Sequence, residues 1–168
     1  MVKRIGVWMV AALVIGAASG LALAADTVTA RFDNLKALAG QWTASGGDGS
    51  VAVTYRVTGG GSAVVETLFP GAPYEMVTIY TIDKGALVLT HYCAEGNQPH
   101  MKAVTGGDAN TIAFKFDGGG NIKSPKDGHM HEATFAFIDA DHVKSTWLYY
   151  KDGKAGETKS FSLVRMKG

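Results

Sequence analysis

The sequence has one cysteine, Cys93, almost no excess of either charge, and no helical periodicity over most of its length. A lone cysteine forbids an intramolecular disulfide, so the fold must rest on its hydrophobic core. Its 16 basic and 15 acidic residues give a net charge of +1, which points to neither a nucleic acid nor an anionic membrane surface as partner. A Gly-x-Ser-x-Gly elbow, a phosphate-cradling loop leading into a helix, and a pair of carboxylates on one apolar face are all missing. Those absences argue against an enzyme. Without helical crossovers a parallel sheet is excluded as well.

What is present begins with an export leader. "MVKRIGVWMVAALVIGAASGLALAADT" opens on Lys3 and Arg4, runs apolar from Ile5, and ends on Ala22-Leu23-Ala24. That order predicts a signal peptide over residues 1–24, cleaved after Ala24, and a periplasmic or secreted protein. The apolar run is short and interrupted by Gly16, Ser19 and Gly20, so no stable membrane span is expected after cleavage. Residue 25 is alanine rather than cysteine, so a lipoprotein anchor is not expected. Cleavage removes Lys3 and Arg4 and no acid, so the 16 basic residues become 14 against 15 acidic ones, a net charge of −1. Residues 25–168 then form a single domain long enough to bury a core.

One helix is predicted at "RFDNLKALAG", where Phe32, Leu35 and Leu38 recur at three-residue spacing and Gly40 ends the pattern. The remainder reads as about ten short strands rich in β-branched and aromatic residues, separated by turns such as "TGGG", "PGAP", "EGNQP" and "DGGGNIKSPKDG". Short hairpin connections make an antiparallel meander, and so many strands curl until the sheet closes. The predicted fold is all-β, a closed antiparallel meander barrel of 8–10 strands behind one short helix.

Alternation along each strand predicts which side chains face inward. The inward rows are Val51, Val53, Tyr55 and Val57; Leu87, Leu89, His91 and Cys93; Ile112, Phe114 and Phe116. Two more are His129, His131, Ala133, Phe135 and Phe137, and Phe161, Leu163 and Arg165. A barrel of this size can enclose a cavity, so a small hydrophobic or amphipathic molecule is the expected partner. An interior filled by its own aromatic side chains, with a structural or interaction role, is the alternative. The polar groups that would orient a ligand are His91, Cys93, His129, His131, Tyr55 and Tyr80, with Asn97 and Gln98 at the rim.

The stretch "LAGQWTA", with Gly40 and Trp42 forming Gly-x-Trp after a short helix, and "FSLVRM", with Arg165 on the last strand, resemble the calycin superfamily of lipocalin-like and nitrobindin-like barrels. Secreted bacterial lipocalin-like domains are the nearest likeness. The resemblance implies a structural role for Gly40, Trp42 and Arg165, the arginine stacking on the indole at the closed end of the barrel. It also implies an apolar or amphipathic ligand.

Two metal-related alternatives accompany that reading. His129 and His131 stand at i and i+2, as do His91 and Cys93, so four ligands on one face could meet at a transition metal. Nitrobindin-like barrels hold heme through an axial histidine on a strand near the C-terminus, yet "TKSFSLVRM" has none, leaving His129, His131 and His142 as candidates. Absence of any cofactor is the simplest expectation. In "HYCAEGNQPHM" a hairpin follows His91 and Cys93. Strand parity puts that hairpin at the open end, opposite Trp42 and Arg165.

Overall fold

The structure is a computed structural model describing residues 18–108 and 110–167, with side chains from residue 27 onward. The expected leader lies outside the described residues up to residue 17, and residues 18–24 are described as helical backbone alone. Helix α1, Ala18–Ala37, precedes ten strands: β1 Gly40–Ala44, β2 Val51–Thr58, β3 Ala63–Leu68, β4 Met76–Asp83 and β5 Ala86–Tyr92. They continue as β6 Gln98–Ala103, β7 Thr111–Gly120, β8 His129–Phe137, β9 His142–Lys151 and β10 Lys154–Arg165. Every strand pairs antiparallel with its sequence neighbour, and β1 pairs with β10 to close the barrel. The predicted closed meander is thus the observed one. No helix among the described residues is long and apolar enough to cross a membrane.

Helix α1 covers one end of this barrel. Phe32, Leu35 and Leu38 point into the core and are buried, as their spacing predicts. Arg31, on the same element, donates to the carbonyls of Val104 at 2.7 Å and Gly106 at 2.5 Å, tying the helix to the β6–β7 loop. The helix starts well before Arg31 because the preceding segment is rich in alanine.

The junction between helix and barrel is built on Trp42 and Arg165, cross-strand neighbours on β1 and β10. The indole Nε1–H donates to Leu38 O at 2.7 Å, and the Arg165 guanidinium lies 4.3 Å above the ring. Its Nη1, Nη2 and Nε donate to the carbonyls of Ala39, Ala37 and Ala140. One planar side chain therefore satisfies carbonyls left over where the helix stops and where the β8–β9 loop turns. Gly40 has φ +131°, and a Cβ there would lie 3.3 Å from Arg165 Nη1, so glycine meets both the backbone and the space requirement.

Some predicted inward positions differ. Val57 is 36 % exposed near the end of β2, where the strand leaves the core. Arg165 is only half-buried, and Cys93 lies beyond the end of β5. The glycine run at residues 118–120, read as a turn, belongs to β7 instead. It permits close approach: a Cβ on Gly119 would sit 2.6 Å from Gln98 O. The run at Gly59–Gly61 is a turn, as expected, with all three residues at positive φ.

Candidate functional site

The barrel interior divides into a filled lower part and an open upper part. Below, toward α1, Tyr80, Phe114 and Phe135 contact one another edge-on or tilted, with centroids 5.7–6.2 Å apart, and none has appreciable exposure. Above them, at the end opposite Trp42 and Arg165, is a cavity of about 330 Å³. Its size falls near the lower end of small-molecule sites, roughly 300–1,000 Å³. Leu68, Phe69, Met76, Met130 and Phe161 form its apolar walls; His91, Trp147 and Lys159 supply the polar atoms. Strand parity correctly places His91 at this end.

A rung of polar side chains separates the two parts. Tyr55, Glu66, Thr78 and His91 occupy β2, β3, β4 and β5, and each is the register partner of the next. Cross-strand partners on one face stand close enough to bond directly. Tyr55 Oη donates to Glu66 Oε1 and Tyr80 Oη to Glu66 Oε2, each at 2.7 Å. Thr78 Oγ1 lies 2.9 Å from His91 Nδ1. All four rung residues are essentially inaccessible to solvent.

Burial sets the electrostatics of this rung. It pushes the Glu66 carboxyl above the usual carboxylate range, against the opposing pull of bonds from Tyr80 and Tyr55. Burial, and then the Glu66 charge, raises both tyrosine hydroxyls well above their ordinary value. Burial alone lowers His91 to about 4, so its imidazole is neutral at physiological pH. With Nδ1 facing Thr78, His91 Nε2 is left buried without a hydrogen-bond partner. The Nε1–H of Trp147 is also buried and unpartnered, and the two rings lie 4.9 Å apart at 40°.

Sequence reasoning misses Glu66. The signal was available, because Val64, Glu66 and Leu68 alternate in phase and both apolar members are buried. Of the predicted ligand-orienting residues, His91 lines the cavity, while Tyr55 and Tyr80 lie beneath it in the rung.

The other candidates lie elsewhere. His129 and His131 do not line the cavity; Met130 does. The β8–β9 register shifts between Met130 and Glu132, and such a bulge resets the alternation of faces. His131 instead stacks on Tyr150, with centroids 3.8 Å apart at 13°. His129 Nδ1 lies 2.7 Å from Asp127 O and its Nε2 lies 2.9 Å from His131 Nδ1, so both ring nitrogens are engaged. Burial lowers the His131 pKa, and neighbouring His129 adds to the effect.

Cys93 is half-buried in a separate groove beside Met76, Met130 and Tyr149, and burial pushes its thiol up, which disfavours the reactive thiolate. Asn97 is buried and donates to Gly128 O at 2.7 Å, joining the β5–β6 and β7–β8 loops. Gln98 packs against Gly120 and donates to Gly96 O, also outside the cavity.

The structure therefore does not assemble His91, Cys93, His129 and His131 at one point. Among the described residues, no group of three or more His, Cys, Asp or Glu side chains is placed to hold a metal ion. The histidines named as heme candidates do not fit that role. His129 and His131 bond each other away from the cavity, and exposed His142 pairs with Asp139 near the opposite end.

Compared with known protein families and with curated proteins, the chain matches none. A closed ten-stranded antiparallel barrel is compatible with a calycin-like fold.

Proposed function

We propose that this protein is an exported, calycin-type binding barrel that holds a small amphipathic molecule in the cavity above the polar rung. The observation that carries this reading is the unpartnered His91 Nε2 at an apolar cavity. A buried polar atom without a partner costs about 1–3 kcal/mol, and a ligand that bonds it recovers that loss. The Gly40, Trp42 and Arg165 geometry supports the calycin assignment. The leader-like N-terminus supports export. Because the tyrosines, Phe114 and Phe135 fill the lower barrel, the molecule occupies the upper part and is modest in size.

Native mass spectrometry of the protein purified from its own periplasm tests the reading directly, since a retained molecule appears as added mass. Tryptophan fluorescence gives a second readout. In the chain from Ala25 only Trp42 and Trp147 remain, and Trp147 lines the cavity. Binding is expected to perturb Trp147 emission in a Trp42→Phe variant. Apo protein alone, together with no stabilisation by a panel of fatty acids, fatty alcohols and metal ions, refutes the proposal.

A further inference from the structure

The geometry points to a second site, at the helix-covered end of the barrel, that binds a phosphate group. It lies opposite the cavity of the proposed binding role and does not depend on it. A pocket of about 240 Å³ opens there between α1, the β4–β5 turn and the end of β6. Arg31 from α1, Lys84 from the turn and Lys102 from β6 line it together with Thr105, and among the described residues no acidic side chain does. The chain as a whole is close to neutral, so this is a local concentration of positive charge.

Arg31 is the unusual member. It is only 7 % exposed, and among the described residues no carboxylate pairs with it. Its Nη1 and Nη2 donate to the carbonyls of Val104 and Gly106, and its Nε has no partner. Carbonyl dipoles hold the guanidinium in place without cancelling its charge, and a buried charge with no counter-charge is costly. Lys84 and Lys102 add to that charge. Both are exposed, and neither ammonium has an ion-pair or hydrogen-bond partner among the described residues. The turn does not account for Lys84 either. It stands at φ +47° before Gly85 at φ +77° in a two-residue hairpin loop closed by Asp83 and Ala86, a place where Asn or Asp is the preferred first residue.

An anion in the pocket supplies the missing counter-charge. The two ammoniums are the groups that touch it, as point charges with rotating donors. Arg31 attracts it through the pocket wall, where a low dielectric extends the reach of a charge and contact with the buried Nε is not needed. Three positive charges favour a doubly charged oxyanion over a carboxylate, and Val28 and Ala86 offer apolar surface to the stem of a phosphomonoester. Asp83, the acid beside Lys84 in the chain, does not line the pocket.

The test titrates the full chain with inorganic phosphate, glycerol phosphate or acetate at constant ionic strength, read by the amide resonances of Lys84, Gly85 and Thr105. Both phosphates are expected to move these resonances saturably, and acetate to bind about tenfold or more weakly. In a Lys84→Ala/Lys102→Ala variant the phosphate affinity falls about tenfold, while unchanged resonances from the other strands report a folded barrel. Co-sedimentation with phosphatidylcholine vesicles, with and without phosphatidic acid, distinguishes the sources of the group. Binding of free phosphate without vesicle retention assigns a soluble ligand; retention that requires phosphatidic acid and both lysines assigns a lipid headgroup. Equal, unsaturable shifts with phosphate and acetate overturn the inference. So do phosphate binding that is undiminished in the double variant, and the lack of any response to free phosphate and to vesicles alike. Each of these results leaves the cavity's binding role standing.

Discussion

Acidification should destabilise the protein through His91, and the size of the effect follows from where the ring is buried. Its ordinary value is 6.5 and burial lowers it to about 4 in the folded state. The unfolded chain therefore binds a proton between these values that the folded chain does not. The resulting stability is fully present above pH 6.5 and is lost as pH falls toward about 4. The interval corresponds to about 3 kcal/mol.

Glu66 acts with the opposite sign. Its carboxyl is raised in the folded state, so its contribution is present below 4.5 and lost as pH rises through the folded value. The two are separated by measuring urea denaturation of the wild type and His91→Gln across pH 4 to 7, each repeated in a Glu66→Gln background. The His91 variants should lack most of the acid-side loss in both backgrounds. Parallel loss of stability in wild type and His91→Gln would refute the assignment of a buried neutral imidazole.

Other consequences are equally direct. Tyr80→Phe leaves one Glu66 oxygen without its tyrosine donor and should cost about 1.5–3 kcal/mol in chemical denaturation. Arg165→Lys keeps the charge but cannot serve three carbonyls at once, so a loss of about 1–3 kcal/mol is expected by the same assay. Gly40→Ala forces a positive φ on alanine and crowds Arg165, and should lower stability by about 1 kcal/mol or more. Cys93 should alkylate slowly in the folded protein and rapidly in denaturant, as followed by mass; fast labelling of the native state would contradict its burial.

The fold was largely legible because a barrel is written in local patterns. Alternation of apolar residues, short turn segments and the scarcity of helical periodicity all report on neighbours in the chain, and β neighbours here are also neighbours in sequence. The site was less legible. His91 was readable from its phase with Leu87 and Leu89. His129 and His131 were not, because the bulge at Met130 and Glu132 depends on how β8 pairs with β9. Nothing within "HMHEATFAF" marks that insertion. Glu66 was obscured in another way: a charged residue in an apolar strand is ordinarily at the surface. Only hydroxyls from other strands make its burial tolerable.

From the sequence alone follow the all-β class, the antiparallel order of strands, the helix that precedes them and the end of the barrel at which His91 stands. These depend on period, turn chemistry and parity, which are properties of the chain read in order. Tertiary structure decided the rest: that the lower barrel is filled and the upper part open, that Cys93 and His131 stand outside the cavity, and that Glu66 anchors the rung beneath it. Those outcomes turn on side-chain volumes and hydrogen bonds between distant segments, which exist only once the sheet has closed.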